Sequence, residues 1–282
     1  MRAVRGAAIG CSSRVVWYAP GVKQTLIAVV GIGRLGRALA QRLSESGYKV
    51  SKVRSRKSGA LATNADVVWF CVPDSQITRV AARFADQTWR TKCAFHSSGV
   101  LTSDALDCLR RLGAAVASVH PLMTFVAGSV PELGGVPFAI EGDARAVTAA
   151  REIVRELGGR PVGIKKKDKI AYHAFATMIC PLLVSLLASA ENAAELAGMS
   201  ETEARRRMMP IIRQTLRNYE KLGPAGAFSG PIVRGDVETV QAHLGALRTR
   251  PRARAVYIEL AKAALENLPS ANSSELARLL RR

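Results

Sequence analysis

Three short stretches of the sequence carry side chains that can bind or protonate a small polar molecule. The run His-Ser-Ser-Gly at 96–99 follows one predicted strand, and His120 follows the next. Lys169 and His173 lie four residues apart near the start of a predicted helix, so they share one helix face. Imidazole and hydroxyl groups can orient an oxo or carboxylate group, and a lysine removed from water has a lowered pKa and can act as an acid.

These side chains are interpreted as a catalytic group. Lys169 or His173 would donate a proton to a carbonyl or imine, while Ser97, Ser98 and His120 would orient the substrate. Simpler roles stay open. A histidine in a loop often only stabilises that loop, and the lysines at 165–167 beside Lys169 are also typical of a solvated junction.

Three further residues, His96, Gly99 and Arg234, are expected to contact an acidic substrate. Arg234 lies in a loop at 228–236, whose glycines and proline interrupt the helical part of the chain. A guanidinium can bind a carboxylate through two parallel hydrogen bonds. Asp236, at the end of this loop, is expected to cap the following helix rather than to bind a ligand.

A glycine motif between a predicted strand and a predicted helix indicates a dinucleotide site. Gly31, Gly33 and Gly36 form a GxGxxG pattern directly after the strand at 26–30. The first glycine allows a tight turn, the second lets a pyrophosphate approach the backbone, and the third lets the helix pack closely. The N-terminus of that helix offers free N–H groups to phosphate. The expected contacts are Gly31, Ile32, Gly33, Arg34, Leu35 and Gly36.

The end of the second predicted strand indicates which dinucleotide is bound. An acidic residue there would bind the ribose of NAD, but the sequence has Arg54, Ser55, Arg56 and Lys57. Three cations around one hydroxyl suit a ribose 2′-phosphate, so the predicted cofactor is NADP; a solvated basic loop is the alternative. Val72, Pro73 and Asp74 follow the third predicted strand. They are expected to face the cofactor, or only to turn the chain.

The elements that must position these residues alternate between strand and helix up to about residue 165. This order predicts an α/β domain, a Rossmann-type doubly wound parallel sheet, followed by an all-helical C-terminal domain. The predicted organisation is an N-terminal extension at 1–23, a dinucleotide-binding domain at 24–165, and a helical substrate and dimerisation domain at 166–282. The extension is read as a dispensable or misassigned segment rather than as a targeting signal.

Composition narrows the class of protein. The chain has 282 residues and a formal net charge of +19, which raises the question of nucleic acid, but aromatic residues make up only 5%. A nucleic-acid partner is therefore not expected. The five cysteines contain no CxxC pair, which favours a reducing cytoplasm and predicts no structural metal site.

One apolar stretch needs a separate interpretation. Residues 170–190 contain no Asp, Glu, Lys or Arg, and a stretch of this length can cross a bilayer. It also contains a histidine, a proline and two serines, and alanine is its main residue. We therefore expect a helix buried in protein and no membrane partner.

Taken together, the motifs resemble those of a bacterial family that pairs a Rossmann-like domain with domain of unknown function 2520. The resemblance covers about residues 24–280. It is carried by the glycine motif, Cys-Val-Pro-Asp at 71–74, His-Ser-Ser-Gly at 96–99, His-Pro-Leu-Met at 120–123, Tyr172-His173, and Gly-Pro-x-x-Arg-Gly-Asp at 230–236. This family is similar in plan to pyrroline-5-carboxylate reductase, ketopantoate reductase, prephenate dehydrogenase and the β-hydroxyacid dehydrogenases.

The resemblance implies a helical second domain that often forms a homodimer, with substrate between the domains. In the β-hydroxyacid dehydrogenases a lysine, with an asparagine four residues later, lies beside the reacting carbon. Lys169 matches that lysine, but His173 replaces the asparagine. The run at 96–99 stands where that group has a serine-threonine-glycine substrate loop.

The combined prediction is an NADP-dependent oxidoreductase that transfers a hydride between nicotinamide and a small oxo, hydroxy or imino acid. A non-catalytic NADP-binding sensor is the alternative from another functional class.

Overall fold

The computed structural model describes residues 24–55, 64–86 and 88–281. The chain divides into two compact units, Met1–Ala176 and Thr177–Arg282. The beginning of the helix that carries Lys169 is therefore grouped with the sheet. The predicted extension at 1–23 lies outside the described residues.

The first unit is built on a seven-stranded sheet with the order β2-β1-β3-β4-β5-β6-β7. The predicted α/β architecture is confirmed, because β1 to β5 are parallel and the order reverses between β1 and β3. The strands are β1 Leu26–Val30, β2 Lys49–Val53, β3 Val67–Phe70, β4 Cys93–His96, β5 Ala115–Pro121, β6 Pro137–Gly142 and β7 Arg160–Gly163.

One strand pair of this mostly parallel sheet is antiparallel. Strand β6 pairs antiparallel with β5, from Ala117 opposite Gly142 to Pro121 opposite Phe138. A parallel pairing needs a crossover, usually through a helix, and the Gly- and Pro-containing connection at 122–136 forms none. The chain therefore turns back along its neighbour.

Alternating strand residues fill two cores, one on each face of the sheet. Ile27, Val29 and Trp69 belong to the cluster that includes Leu39 and Ile153 from two helices. The other cluster includes Ala28, Val30 and Phe70 together with residues of the helices after β3 and β4. A sheet buried on both faces leaves its strand ends as the accessible part of the domain.

The helices of the first unit flank this sheet. They are α1 Arg34–Glu45, α2 Ile77–Ala82, α3 Asp107–Arg110, α4 Ala144–Glu156 and α5 Lys169–Ile179, whose last three residues belong to the second unit.

The second unit is helical, as predicted. Its helices are α6 Pro181–Ala194, α7 Glu201–Ala227, α8 Pro231–Arg234, α9 Val237–Ala246, α10 Pro251–Asn267 and α11 Ser273–Leu279. Helix α7 is interrupted at Gly223, where φ is +69°.

The predicted burial of the apolar stretch is wrong for the single chain. Among the described residues one helical stretch, Lys166–Ala197, is long and apolar enough to cross a membrane. Its most apolar segment has a mean hydropathy of 1.9, and none of that segment is buried. The stretch is two helices, because Pro181 begins a new one after Cys180. Helix α6 packs on α7 and α10, but Leu182 and Val184 remain more than half exposed.

Candidate functional site

The sheet register brings the predicted site residues to one edge. Val30 pairs with Phe70, Phe70 with His96, and His96 with Ser118. These four residues lie side by side on β1, β3, β4 and β5, so the segments that follow the first three strands leave the sheet at the same level. Ligands of open α/β sheets bind at this edge, near the point where the strand order reverses.

The three glycines of the phosphate motif meet different surroundings. Gly31 has a φ of +96°, and a Cβ on it would lie 2.6 Å from the carbonyl oxygen of Cys71. A Cβ on Gly36 would collide with the carbonyl oxygen of Gly31. Gly33 has nothing within 4 Å of that position. Gly31 and Gly36 are thus required by the fold, whereas Gly33 borders open space.

Helix α1 presents an uncapped N-terminus beside Gly33. No side chain caps this helix and no acidic residue lies in its first turn. Ile32, Arg34 and Leu35 are half-buried or exposed around it. Free N–H groups, a positive helix end and an open glycine fit the pyrophosphate of a dinucleotide.

The proposed 2′-phosphate loop begins next to this helix. Gly31 donates its N–H to the carbonyl oxygen of Val53 at 2.9 Å, which places exposed Arg54 beside the glycine turn. The Arg83 guanidinium donates to the carbonyl oxygen of Ser55 at 3.1 Å. Arg56 and Lys57 lie outside the described residues.

The end of β3 faces the same turn. The Val72 side chain would lie 2.6 Å from a Cβ on Gly31, so Val72 packs against the glycine motif. Exposed Pro73 precedes a helical turn, Asp74–Gln76, that begins at Asp74. Pro73 and Asp74 therefore turn the chain, as one of the two interpretations of the sequence expected, and they do so beside the expected cofactor position.

His96 is fully buried and both its ring nitrogens have backbone partners. The Ser98 N–H donates to Nδ1 at 3.1 Å, and because that nitrogen must accept, Nε2 carries the proton and donates to the carbonyl oxygen of Thr102 at 2.9 Å. Burial lowers the pKa of His96 to about 4. The ring therefore holds the loop at 97–102 in place, and the structure shows no free nitrogen on it for a substrate.

The two serines of this loop also make internal contacts. The Ser97 hydroxyl accepts the indole N–H of Trp69 at 2.8 Å. The Ser98 hydroxyl accepts the N–H groups of Val100 and Leu101 at 3.2 and 2.9 Å. These bonds hold the loop after β4 in place.

Lys169 reaches into this edge of the sheet from the start of α5. Its Nζ donates to the carbonyl oxygen of Ser98 at 3.1 Å and to the Ser118 hydroxyl at 2.7 Å, and the side chain is fully buried. Burial lowers the pKa of Lys169, while Glu141 and Asp74 act in the opposite direction. Lys169 is thus a buried amine that hydrogen-bonds to two neutral oxygen atoms.

Three aromatic rings gather beside this amine. His120 packs edge-on against Tyr172 at 5.7 Å between ring centroids and against His173 at 6.0 Å. A Cβ on Gly99 would lie 2.9 Å from His120 Nε2 and would collide with the His173 ring, so only glycine fits at position 99. Burial first, and then Lys169, lower the pKa of His120 to about 4. His120 is a neutral base at physiological pH.

The structure adds three residues to which the sequence patterns gave no role. Ser118 is the second partner of Lys169, and Tyr172 packs on His120. Glu141 is a buried carboxylate that accepts the N–H and hydroxyl of Ser103 at 2.6 and 2.9 Å, which anchors the far end of the loop after β4. Glu141 was recognisable as an acid inside an otherwise apolar strand.

The remaining predicted residue, Arg234, belongs to the second unit. It is exposed at the end of α8. Asp236 accepts the Thr239 N–H at 3.0 Å, so its predicted role as the cap of α9 is confirmed. No cluster of three metal-binding side chains occurs in the part of the chain that the structure describes.

The fold and the site place the chain among Rossmann-type proteins. Residues 136–264 match the family model described as "Domain of unknown function (DUF2520)". This match covers somewhat less than half of the chain and, together with the Rossmann-type sheet, confirms the resemblance inferred from the motifs.

Solved structures share the fold at low sequence identity. A Bacteroides fragilis protein, provisionally named an NADP oxidoreductase, has 19% identity and a TM-score of 0.73, with 85% of this chain and 97% of that chain covered. A Thermotoga maritima protein has 22% identity and a TM-score of 0.65, covering 91% and 100%. Pyrroline carboxylate reductase from Plasmodium falciparum, with NADP bound, has 16% identity and a TM-score of 0.58, covering 86% and 99%. Among curated protein sequences, none matches this chain.

Proposed function

We propose that this protein is an NADP-dependent oxidoreductase that transfers a hydride between nicotinamide and a small oxo, hydroxy or imino acid. The observation that carries the proposal is the shared sheet edge: the open glycine at position 33 follows β1, and the buried amine of Lys169 donates to Ser98, which follows β4 of the same sheet. The fold neighbours that have NADP or NADPH in their structures, a pyrroline carboxylate reductase and a reductive aminase, support the same cofactor.

Different residues of the chain would bind the cofactor and the substrate in such a reaction. The glycine motif and the N-terminus of α1 would hold the pyrophosphate, and Arg54 would bind the 2′-phosphate together with Arg56 and Lys57. When bound, the dinucleotide supplies or accepts the hydride. His120 and His173 would contact the substrate, and Lys169 would stabilise negative charge that develops on it.

The direct test is turnover. Purified protein with NADPH would be offered a panel of small oxo and imino acids, and oxidation of the cofactor would be followed by absorbance. Turnover of one class supports the enzyme; NADPH binding without turnover of any compound supports the sensor instead.

Arg54 offers a test of cofactor choice. Replacing Arg54 with glutamate should raise the Kd for NADPH about 10-fold, because a carboxylate repels the 2′-phosphate, and should change the Kd for NADH much less. Fluorescence titration measures both constants. Arg79→Glu, on α2, is the control for a general loss of positive charge. Equal binding of NADH and NADPH by the wild-type protein would contradict the assignment of NADP.

We further infer that the protein is a homodimer through its helical unit. Apolar side chains remain exposed on α6 and α7, including Leu182 at 53%, Ile211 at 67% and Leu216 at 55%. Monomeric proteins rarely leave apolar surface of this extent in contact with water. A second copy of this chain would cover it.

A charge on this surface should separate the subunits. Ile211→Glu is expected to shift the mass in light scattering from twice 30.2 kDa to 30.2 kDa, because a buried unpaired carboxylate is costly. Val126→Glu, at a 51% exposed apolar residue of the first unit, is the matched control. A wild-type monomer that floats with lipid vesicles would instead indicate a membrane partner.

The small acidic substrate, the cytoplasmic location and the lack of a nucleic-acid or membrane partner stay predictions from the sequence.

A further inference from the structure

Two buried polar atoms of the candidate site have no hydrogen-bond partner. They are Tyr172 Oη and His120 Nδ1, and they are the only side-chain nitrogen or oxygen atoms of this kind in the part of the chain that the structure describes. Buried polar groups are nearly always paired, because an unpaired one costs free energy. A pair of such atoms on two packed rings indicates that a ligand atom completes them.

The two rings come from elements that the fold holds together. His120 lies near the end of β5, Tyr172 lies on the first turn of α5, and their rings meet edge-on at 5.7 Å. The ring of His120 also packs against Gly99 and the His173 ring. The position of His120 is therefore set before any ligand arrives.

The protonation states of the two groups suit a hydrogen-bonded oxygen. Burial raises the pKa of Tyr172, so its hydroxyl keeps its proton. Burial lowers the pKa of His120 to about 4, so its ring is neutral and can carry one proton on Nδ1. Each group can then donate a hydrogen bond to an oxygen acceptor.

The surrounding charge selects between acceptors. The charged group that acts on His120 is Lys169, which disfavours an additional positive charge there. A protonated imine would bring such a charge to this position. A carbonyl oxygen develops negative charge during reduction, which the same surroundings stabilise.

We propose that Tyr172 and His120 hold the carbonyl oxygen of an oxo acid, and that Tyr172 donates the proton to it. This proposal rests on the proposed hydride-transfer function. The hydride of the reduced nicotinamide forms a C–H bond at the carbonyl carbon, and the π electron pair moves to oxygen. The Tyr172 O–H bond breaks as the new O–H bond forms. The carbonyl is reduced to an alcohol, the nicotinamide is oxidised, and Tyr172 regains a proton from water.

Lys169 has a different part in this arrangement. Its Nζ is fully buried and donates to Ser98 and Ser118. Its positive charge stabilises the developing oxyanion, and the hydroxyl of Tyr172 provides the proton.

The experiment uses pyruvate and acetoacetate as oxo acids, pyrroline-carboxylate as a cyclic imine, and oxamate as an unreactive carbonyl probe. Tyr172→Phe should lower kcat for the oxo acids about 100-fold, change the Kd of NADPH less than about 2-fold, and weaken oxamate binding to the NADPH complex about 10-fold. Calorimetry measures both dissociation constants. Tyr219→Phe, at a 58% exposed tyrosine of α7, is the matched control.

A second pair of variants tests the His120 contact. Asparagine carries an N–H close to the position of Nδ1, so His120→Asn should keep more oxamate affinity than His120→Ala. Reduction of pyrroline-carboxylate but of neither oxo acid would overturn the proposal, as would a Tyr172→Phe protein with wild-type kcat and oxamate affinity. In both cases the hydride-transfer function would stand. A wild-type protein that does not bind NADPH, or reduces none of the three compounds, would refute that function and this proposal with it.

Discussion

Replacing Lys169 with methionine is expected to lower kcat/KM about 100- to 1,000-fold without loss of NADPH binding. Lys169 Nζ is buried, and its positive charge lowers the pKa of the His120 imidazole. A fixed positive charge in a site shielded from water stabilises developing negative charge far more than the same charge in solution. Removing one such group from an enzyme typically costs this factor.

The fold should tolerate this substitution. Methionine has a similar length, and the two oxygen atoms that accept from Nζ can bond to each other, because the Ser118 hydroxyl donates to the carbonyl oxygen of Ser98 at 3.3 Å. The variant also removes a charge from the interior, where its burial is costly. The melting temperature should therefore fall little, so a loss of activity reports on the reaction rather than on unfolding.

Steady-state kinetics with NADPH and the oxo acid that gives the highest rate would measure the effect. Lys167→Met, which removes an exposed charge two residues earlier, is the control and should keep nearly full activity. Full activity of Lys169→Met would show that this amine has only a structural role.

The arrangement of the cofactor end was predictable because it depends on local rules. A strand that ends directly before Gly31, and a helix that begins after Gly33, follow from a short apolar run and a glycine pattern. The same kind of reasoning located the strand before His96 and the cap at Asp236. Each of these features involves residues close together in the sequence.

The features that the sequence did not reveal depend on distant contacts. Lys169 meets Ser98 and Ser118 across separations of 71 and 51 residues, and Glu141 meets Ser103 across 38. No periodicity encodes such partners. His96 illustrates the consequence: its position at the end of a strand suggested a substrate ligand, whereas its two backbone bonds are visible only in the folded loop.

The antiparallel pairing of β6 has a similar origin. The apolar pattern at 137–140 predicts a strand but not its direction. Direction is set by the connection, and the segment at 122–136 contains no helix to carry the chain across the sheet. The absence of a helix in this segment is what leaves β6 antiparallel to β5.

Gly33 provides the sharpest test of the cofactor site, because the folded chain alone does not require a glycine there. Its backbone has a φ of −79° and a ψ of −160°, which other residues adopt readily, and a Cβ would meet nothing within 4 Å. Gly33→Val should therefore fold with a melting temperature close to that of the wild-type protein. If a pyrophosphate lies over the N-terminus of α1, the added methyl groups would occupy its place, and the affinity for NADPH should fall about 100-fold or more.

Two other glycines separate this effect from general damage. Gly134→Val places a side chain at another open glycine, outside the phosphate motif, and should change neither stability nor NADPH affinity. Gly36→Ala should destabilise the protein, because its Cβ would collide with the backbone of Gly31. Calorimetric melting and NADPH titration of the three variants distinguish a glycine that the fold needs from one that a ligand needs. A Gly33→Val protein that bound NADPH as tightly as the wild type would place the pyrophosphate elsewhere and remove the main support for the dinucleotide site.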